Sequence, residues 1–115
     1  MIKAVFSRDP AGAFQQFKLT GHADSGDYGH DIVCAAVSAV TIGIANSIEV
    51  MAGFDPVTFA DEVNGGHIEA SIPTTLTAEA QRTTQTLLES LYLTLSEIAQ
   101  DHHDYVHVVT HTHKA

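Results

Sequence analysis

From Asp31 to about Met51 the chain has no proline, a single glycine at Gly43 and, past Asp31, one charged side chain, Glu49. This spacing predicts one long helix, opened by Asp31 as its N-cap and closed at Ala52-Gly53, where glycine suits a C-terminal cap. Such a helix constrains the rest of the fold, because 115 residues suffice for one domain with one core and are short for two. Ser38, Thr41, Asn46, Ser47 and Glu49 would be costly in hydrocarbon, so the run reads as a buried amphipathic helix rather than a membrane span. Ala35, Ala36 and Ala39, small residues near its start, are expected to let the backbone pack closely on a sheet.

The flanking segments carry strand patterns. Ile2, Ala4 and Phe6 alternate with Lys3, Val5 and Ser7, and Asp9-Pro10-Ala11-Gly12 ends that strand. Phe14 to Thr20 supplies its hairpin partner. Further on, Val57–Val63 and His67–Ile72 flank Asn64-Gly65-Gly66, a strong hairpin signal. Residues Thr77 to Gln100 predict a second long helix, with Leu87, Leu88, Leu91, Leu95 and Ile98 as its core stripe. Tyr105 to His113 predicts a last strand. The order strand, strand, helix, strand, strand, helix, strand fits a small α/β domain spanning 1–115, a mainly antiparallel mixed sheet with two long helices packed on it.

Chemistry concentrates at the start of the first helix, in Gly21-His22-Ala23, a Gly/Asp/Tyr loop, and Asp31-Ile32-Val33-Cys34-Ala35-Ala36-Val37-Ser38. With Asp31 as cap, Cys34 lies in the first turn, where unpaired N–H groups and the helix dipole favour a thiolate. A nucleophilic thiol also needs a proton acceptor, and His22, on the far side of the loop, is the candidate. By spacing alone, Cys34 fits a packed core position equally well, since unbonded cysteine is among the most buried residue types. Glycines at 21, 26 and 29 make the loop conformationally permissive.

These segments resemble the signature of the ribosomal-processing cysteine protease family, Prp or YsxB-like, and the likeness extends over essentially the whole chain. The resemblance implies His22 as general base and Cys34 as nucleophile, with Asp31 and Ser38 in supporting roles. Asp31 either caps the helix or orients the histidine. It further implies an endopeptidase that removes a short N-terminal extension from a large-subunit ribosomal protein precursor, and a homodimer. In that mechanism the N–H groups around Val33 and Cys34 are suited to hold an oxyanion.

Charge agrees with a protein substrate. Fourteen acidic against five basic residues give a formal charge of −9, which argues against direct nucleic-acid binding and favours a basic partner such as a ribosomal protein. One cysteine excludes an internal disulfide and suits a reducing cytoplasm; the first residues do not read as a signal peptide. No cofactor or membrane contact is implied. Two other readings keep the same fold: a non-catalytic dimeric binding module associated with ribosome assembly, with Cys34 inert, and a histidine-dependent metal protein. The metal reading draws on His102, His103, His107, His111 and His113. His107, His111 and His113 share a strand face, but 107 stands roughly 13 Å from 111 at about 3.3 Å per residue, too far for one ion. A solvent-facing strand edge accounts for them better, and no metal is expected. His30, Asp24 and Asp27 read as solvated loop residues and His67 as a solvent-facing strand residue, while Tyr28 could pack over the substrate path.

Overall fold

The computed structural model of the protein describes residues 1–21, 28–61 and 66–113. Its elements are β1 (Ile2–Arg8), β2 (Phe14–Thr20), α1 (Tyr28–Ala52), β3 (Val57–Asp61), β4 (His67–Ser71), α2 (Ala78–Asp101) and β5 (Val106–Thr112). They form a single sheet in the order β3-β4-β2-β1-β5 with two helices, the architecture expected from the sequence. Every neighbouring pair is antiparallel except β1 with β5, which run parallel from Ile2↔Val106 to Arg8↔Thr112.

The topology dictates where the helices go. β2 and β3 run the same way with β4 between them, so the chain must cross over through α1; β4 and β5 also run the same way, and α2 carries that crossover. Such crossovers are right-handed almost without exception. The two moves are opposite in both strand direction and sideways sense, so a common hand places both helices on one face of the sheet. Strand alternation supplies the matching apolar surface: Ile2, Ala4 and Phe6 of β1, Phe17 and Leu19 of β2, Ala70 of β4 and Val106 of β5 are buried in one cluster with Val33, Val37 and Ile48 of α1 and Leu88, Leu91 and Leu95 of α2. Phe6 sits at its centre, with ring centroids of Phe14, Phe17 and Tyr92 at 5.5, 5.9 and 5.3 Å, the last edge-on. Lys3, Gln16 and Lys18, of opposite parity, are exposed on the uncovered face.

Local chemistry closes the elements. In the β1–β2 turn the Asp9 carboxylate accepts the Ala13 N–H at 2.9 Å, and Gly12 adopts φ +95°. Gly53, at φ +84°, caps α1 by donating its N–H to the Glu49 carbonyl at 3.1 Å. Thr77 is the N-cap of α2, its hydroxyl accepting the Ala80 N–H at 3.1 Å. Thr77→Ala is expected to lower stability by about 1 kcal/mol, readable as a shift of the urea midpoint without a change in slope.

Two expectations for α1 are corrected. The helix begins at Tyr28, not Asp31, so Asp31 lies inside its first turn and Cys34 in its second. Each residue added to a growing helix gains one hydrogen bond, and nothing in Tyr28-Gly29-His30 bars helical backbone. Ala35, Ala36 and Ala39 are exposed instead of facing the sheet; Val33, Cys34, Val37, Thr41, Ala45 and Ile48 are the buried stripe. α1 is long and apolar enough to cross a membrane, yet it packs one side on α2 and the core and leaves Ile32, Val50 and Met51 exposed on the other.

Candidate active site

Cys34 is 5% exposed and forms part of the wall of a cleft of about 360 Å³. α1 contributes Cys34, Val37, Ser38 and Ile42 to this cleft. The end of the sheet contributes the rest: Ile2 from the start of β1, Leu19 and Gly21 from the end of β2, and Gly66, His67 and Ile68 from the start of β4. The cleft exists because β1, β2 and β4 are neighbours in the sheet and their ends meet beneath the first half of α1. Its apolar side chains remove competing water from around the sulfur and offer purchase to the apolar side chains of a peptide.

Of the residues singled out in the sequence, Cys34 and Ser38 line the same cleft, one helical turn apart. Asp31 lies three residues ahead of Cys34 on α1. His22, Asp24 and Asp27 lie outside the described residues, whereas the residue bonded to His22, Gly21, is on the cleft rim. Because α1 begins at Tyr28, the N–H groups of Val33 and Cys34 fall beyond the first four of the helix and are committed to carbonyls one turn back. The expectation that they hold an oxyanion is therefore withdrawn. For the same reason the helix dipole, felt mainly within the first turn, is a lesser support for a thiolate at Cys34 than a neighbouring imidazolium would be.

The remaining histidines serve other purposes. His67 is not simply solvent-facing: its Nε2 lies 2.9 Å from Glu69 Oε2, and its ring meets Phe59 edge-on at 5.1 Å. β5 is an edge strand, and His107, His111 and His113 are exposed. His111 and His113 line a groove of about 450 Å³ on the uncovered sheet face beside Lys3 and Lys18, whose ammonium groups oppose a cation there. Among the described residues no three His, Cys, Asp or Glu side chains converge as metal ligands would.

Sequence pattern alone missed the apolar wall of the cleft. Ile2, Leu19 and Ile68 were legible as inward-facing strand residues, but their meeting at one end of the sheet depends on strand order, which no local pattern encodes.

A thiol on a helix, set in an apolar cleft at the end of a sheet, with a histidine next in sequence to the Gly21 of its rim, is the pattern of a cysteine-dependent hydrolase. Comparison with known proteins narrows this class. The model of the family "Cysteine protease Prp" matches residues 1–107, and the chain belongs to that family. The ribosomal processing cysteine protease Prp of Bacillus subtilis (strain 168) is 36% identical over 110 residues, covering 96% of this chain and 97% of the relative. Among solved structures, a Streptococcus mutans protein superposes with a TM-score of 0.86 at 35% identity, covering 98% of this chain and 96% of the other. Prp of Staphylococcus aureus, in complex with a covalently linked product peptide, superposes with a TM-score of 0.72 at 30% identity, covering 96% of this chain and 99% of the other.

Proposed function

We propose that this protein is a cytoplasmic endopeptidase that removes the short N-terminal extension of a large-subunit ribosomal protein precursor, with Cys34 as nucleophile and His22 as general base. The observation that supports the reading is the cleft itself, lined by both Cys34 and Gly21, the residue bonded to His22. The names of the relatives supply the substrate class, and the covalent link to a product peptide in the Staphylococcus aureus relative is in keeping with nucleophilic catalysis.

In this mechanism the imidazole of His22 takes the thiol proton and the sulfur attacks the scissile carbonyl carbon. As the tetrahedral intermediate collapses, the C–N bond breaks and the imidazolium gives its proton to the leaving amine, which becomes the new N-terminus of the ribosomal protein. The extension is left as a thioester on Cys34. Water, deprotonated by the same imidazole, then releases it as a carboxylic acid and restores the thiol. Ser38, half-buried in the cleft one turn along α1, would contact the acyl segment. Asp31, inside the first turn of α1 and so not its cap, keeps the supporting role that the resemblance implies, orienting the histidine.

Net charge of −9 favours encounter with a basic precursor. A homodimer would cover the uncharged outward side chains of α1, Ile32 among them. Incubation of the purified protein with the full-length precursor of its own host, followed by intact-mass measurement, is expected to show a single cut near the precursor N-terminus. A folded protein whose thiol alkylates readily but which leaves the precursor whole would show the substrate assignment to be wrong.

A further inference from the structure

Strand parity makes the position of the catalytic histidine a problem that the fold has to solve. Along β2, Phe17 and Leu19 point to the helix-covered side of the sheet, while Lys18 and Thr20 line the groove on the uncovered side. If the strand simply continued, position 22 would share the face of Lys18 and Thr20. Cys34 is on the other side. An extended backbone through residue 21 would thus aim the imidazole away from the thiol it has to deprotonate.

Gly21 breaks the alternation. Its φ of +82° lies in the left-handed region that side-chain-bearing residues rarely enter. The β1–β2 register, with Lys3 opposite Thr20, brings the first residues of β1 alongside it. A Cβ at position 21 would be driven into the carbonyl oxygen of Met1, would stand 3.0 Å from the Met1 carbonyl carbon, and would lie 3.4 Å from the Ile2 Cα. These obstacles are main-chain atoms without freedom to yield: Ile2 is buried in the core and donates its N–H to the Tyr105 carbonyl at 2.8 Å.

We propose that Gly21, seated against the main chain of Met1, is a positioning residue that turns the chain out of the β2 alternation and so sets the direction in which the chain enters His22. The inference rests on the reading of His22 as general base. It makes the main chain at the start of the N-terminal strand part of the catalytic apparatus, beside the Ile2 side chain in the cleft wall.

The test is Gly21→Ala beside wild type and His22→Ala, with precursor kinetics and the pH profile of Cys34 alkylation measured on each. Gly21→Ala is expected to fold, by circular dichroism, and to lose about a hundredfold in kcat with KM changed by less than about threefold. Its alkylation profile is expected to move toward that of His22→Ala, a readout that a merely structural role would leave alone. A chain carrying D-alanine at position 21, made by ligating a synthetic 1–33 thioester to recombinant 34–115 at Cys34, adopts positive φ without strain and points its β-carbon the other way. It is expected to keep kcat within about threefold of a wild type made by the same ligation.

A folded Gly21→Ala protein with wild-type kcat, or with lowered kcat and a wild-type alkylation profile, overturns the inference. So does a folded but inactive D-alanine chain, which decides the matter alone should Gly21→Ala not fold. If wild type cuts and His22→Ala shifts the profile while Gly21→Ala does not, only the inference falls. A profile unmoved in His22→Ala removes the dyad reading first and the inference with it.

Discussion

Cys34→Ala is expected to abolish processing of the precursor, with a single-turnover rate about 10⁴-fold or more below wild type, because the proposed covalent intermediate is carried by the Cys34 sulfur. Cys34→Ser is expected to fail almost as completely, since a hydroxyl holds its proton far more tightly than a thiol and the same imidazole cannot ionise it. His22→Ala should leave more behind. General base assistance is worth roughly 10²–10⁴ in rate, and in its absence the residual activity climbs with pH as hydroxide removes the thiol proton. The three variants therefore differ in pattern as well as size. Mass spectrometry of quenched single turnovers reads both, and should also catch a peptide adduct on Cys34 in wild type but in neither Cys34 variant. Substantial cleavage by a folded Cys34→Ala protein would remove the nucleophile assignment, whatever the family membership.

The enzyme class was legible in the sequence through a local signature: cysteine, serine and the aspartate ahead of them sit within about two turns of one apolar run, the Gly21-His22 pair stands a short loop away, and together they carry the family resemblance that spacing alone does not supply. The strands and helices were legible because their periods are unambiguous. Ile2, Ala4 and Phe6 alternate, and Leu88, Leu91 and Leu95 recur at helical spacing; all six proved buried. What local pattern misjudged were choices between equivalents. Asp27, directly ahead of Tyr28, is as good a capping type as Asp31, so composition does not select the start of α1. Alanine fits a tight helix–sheet contact or a solvent-facing surface equally well, and Ala35, Ala36 and Ala39 take the second. The cleft wall lay further out of reach, because its parts are separated in sequence and adjacent only through the order β3-β4-β2-β1-β5.

Phe6→Ala should cost about 3–5 kcal/mol in stability, a large part of the roughly 5–15 kcal/mol available to a domain of this size. Phe6 is fully buried, and its ring packs against those of Phe14, Phe17 and Tyr92. Truncation leaves a void that the strand on either side cannot close, since β1 is pinned by ladders to β2 and β5 along its whole length. A loss below about 1 kcal/mol in urea titration, the size expected of an ordinary surface change, would mean that this ring cluster is not the keystone of the core. The same variant separates global stability from local placement. Phe6 lies mid-strand, whereas Met1 meets Gly21 at the strand's beginning, so the folded fraction of Phe6→Ala in the cold should retain kcat near wild type. Gly21→Ala should show the converse, a molecule that stays folded and turns over slowly. Together the two variants would show that the middle of β1 supports the fold through the Phe6 side chain, while its beginning supports the active site through the main chain of Met1.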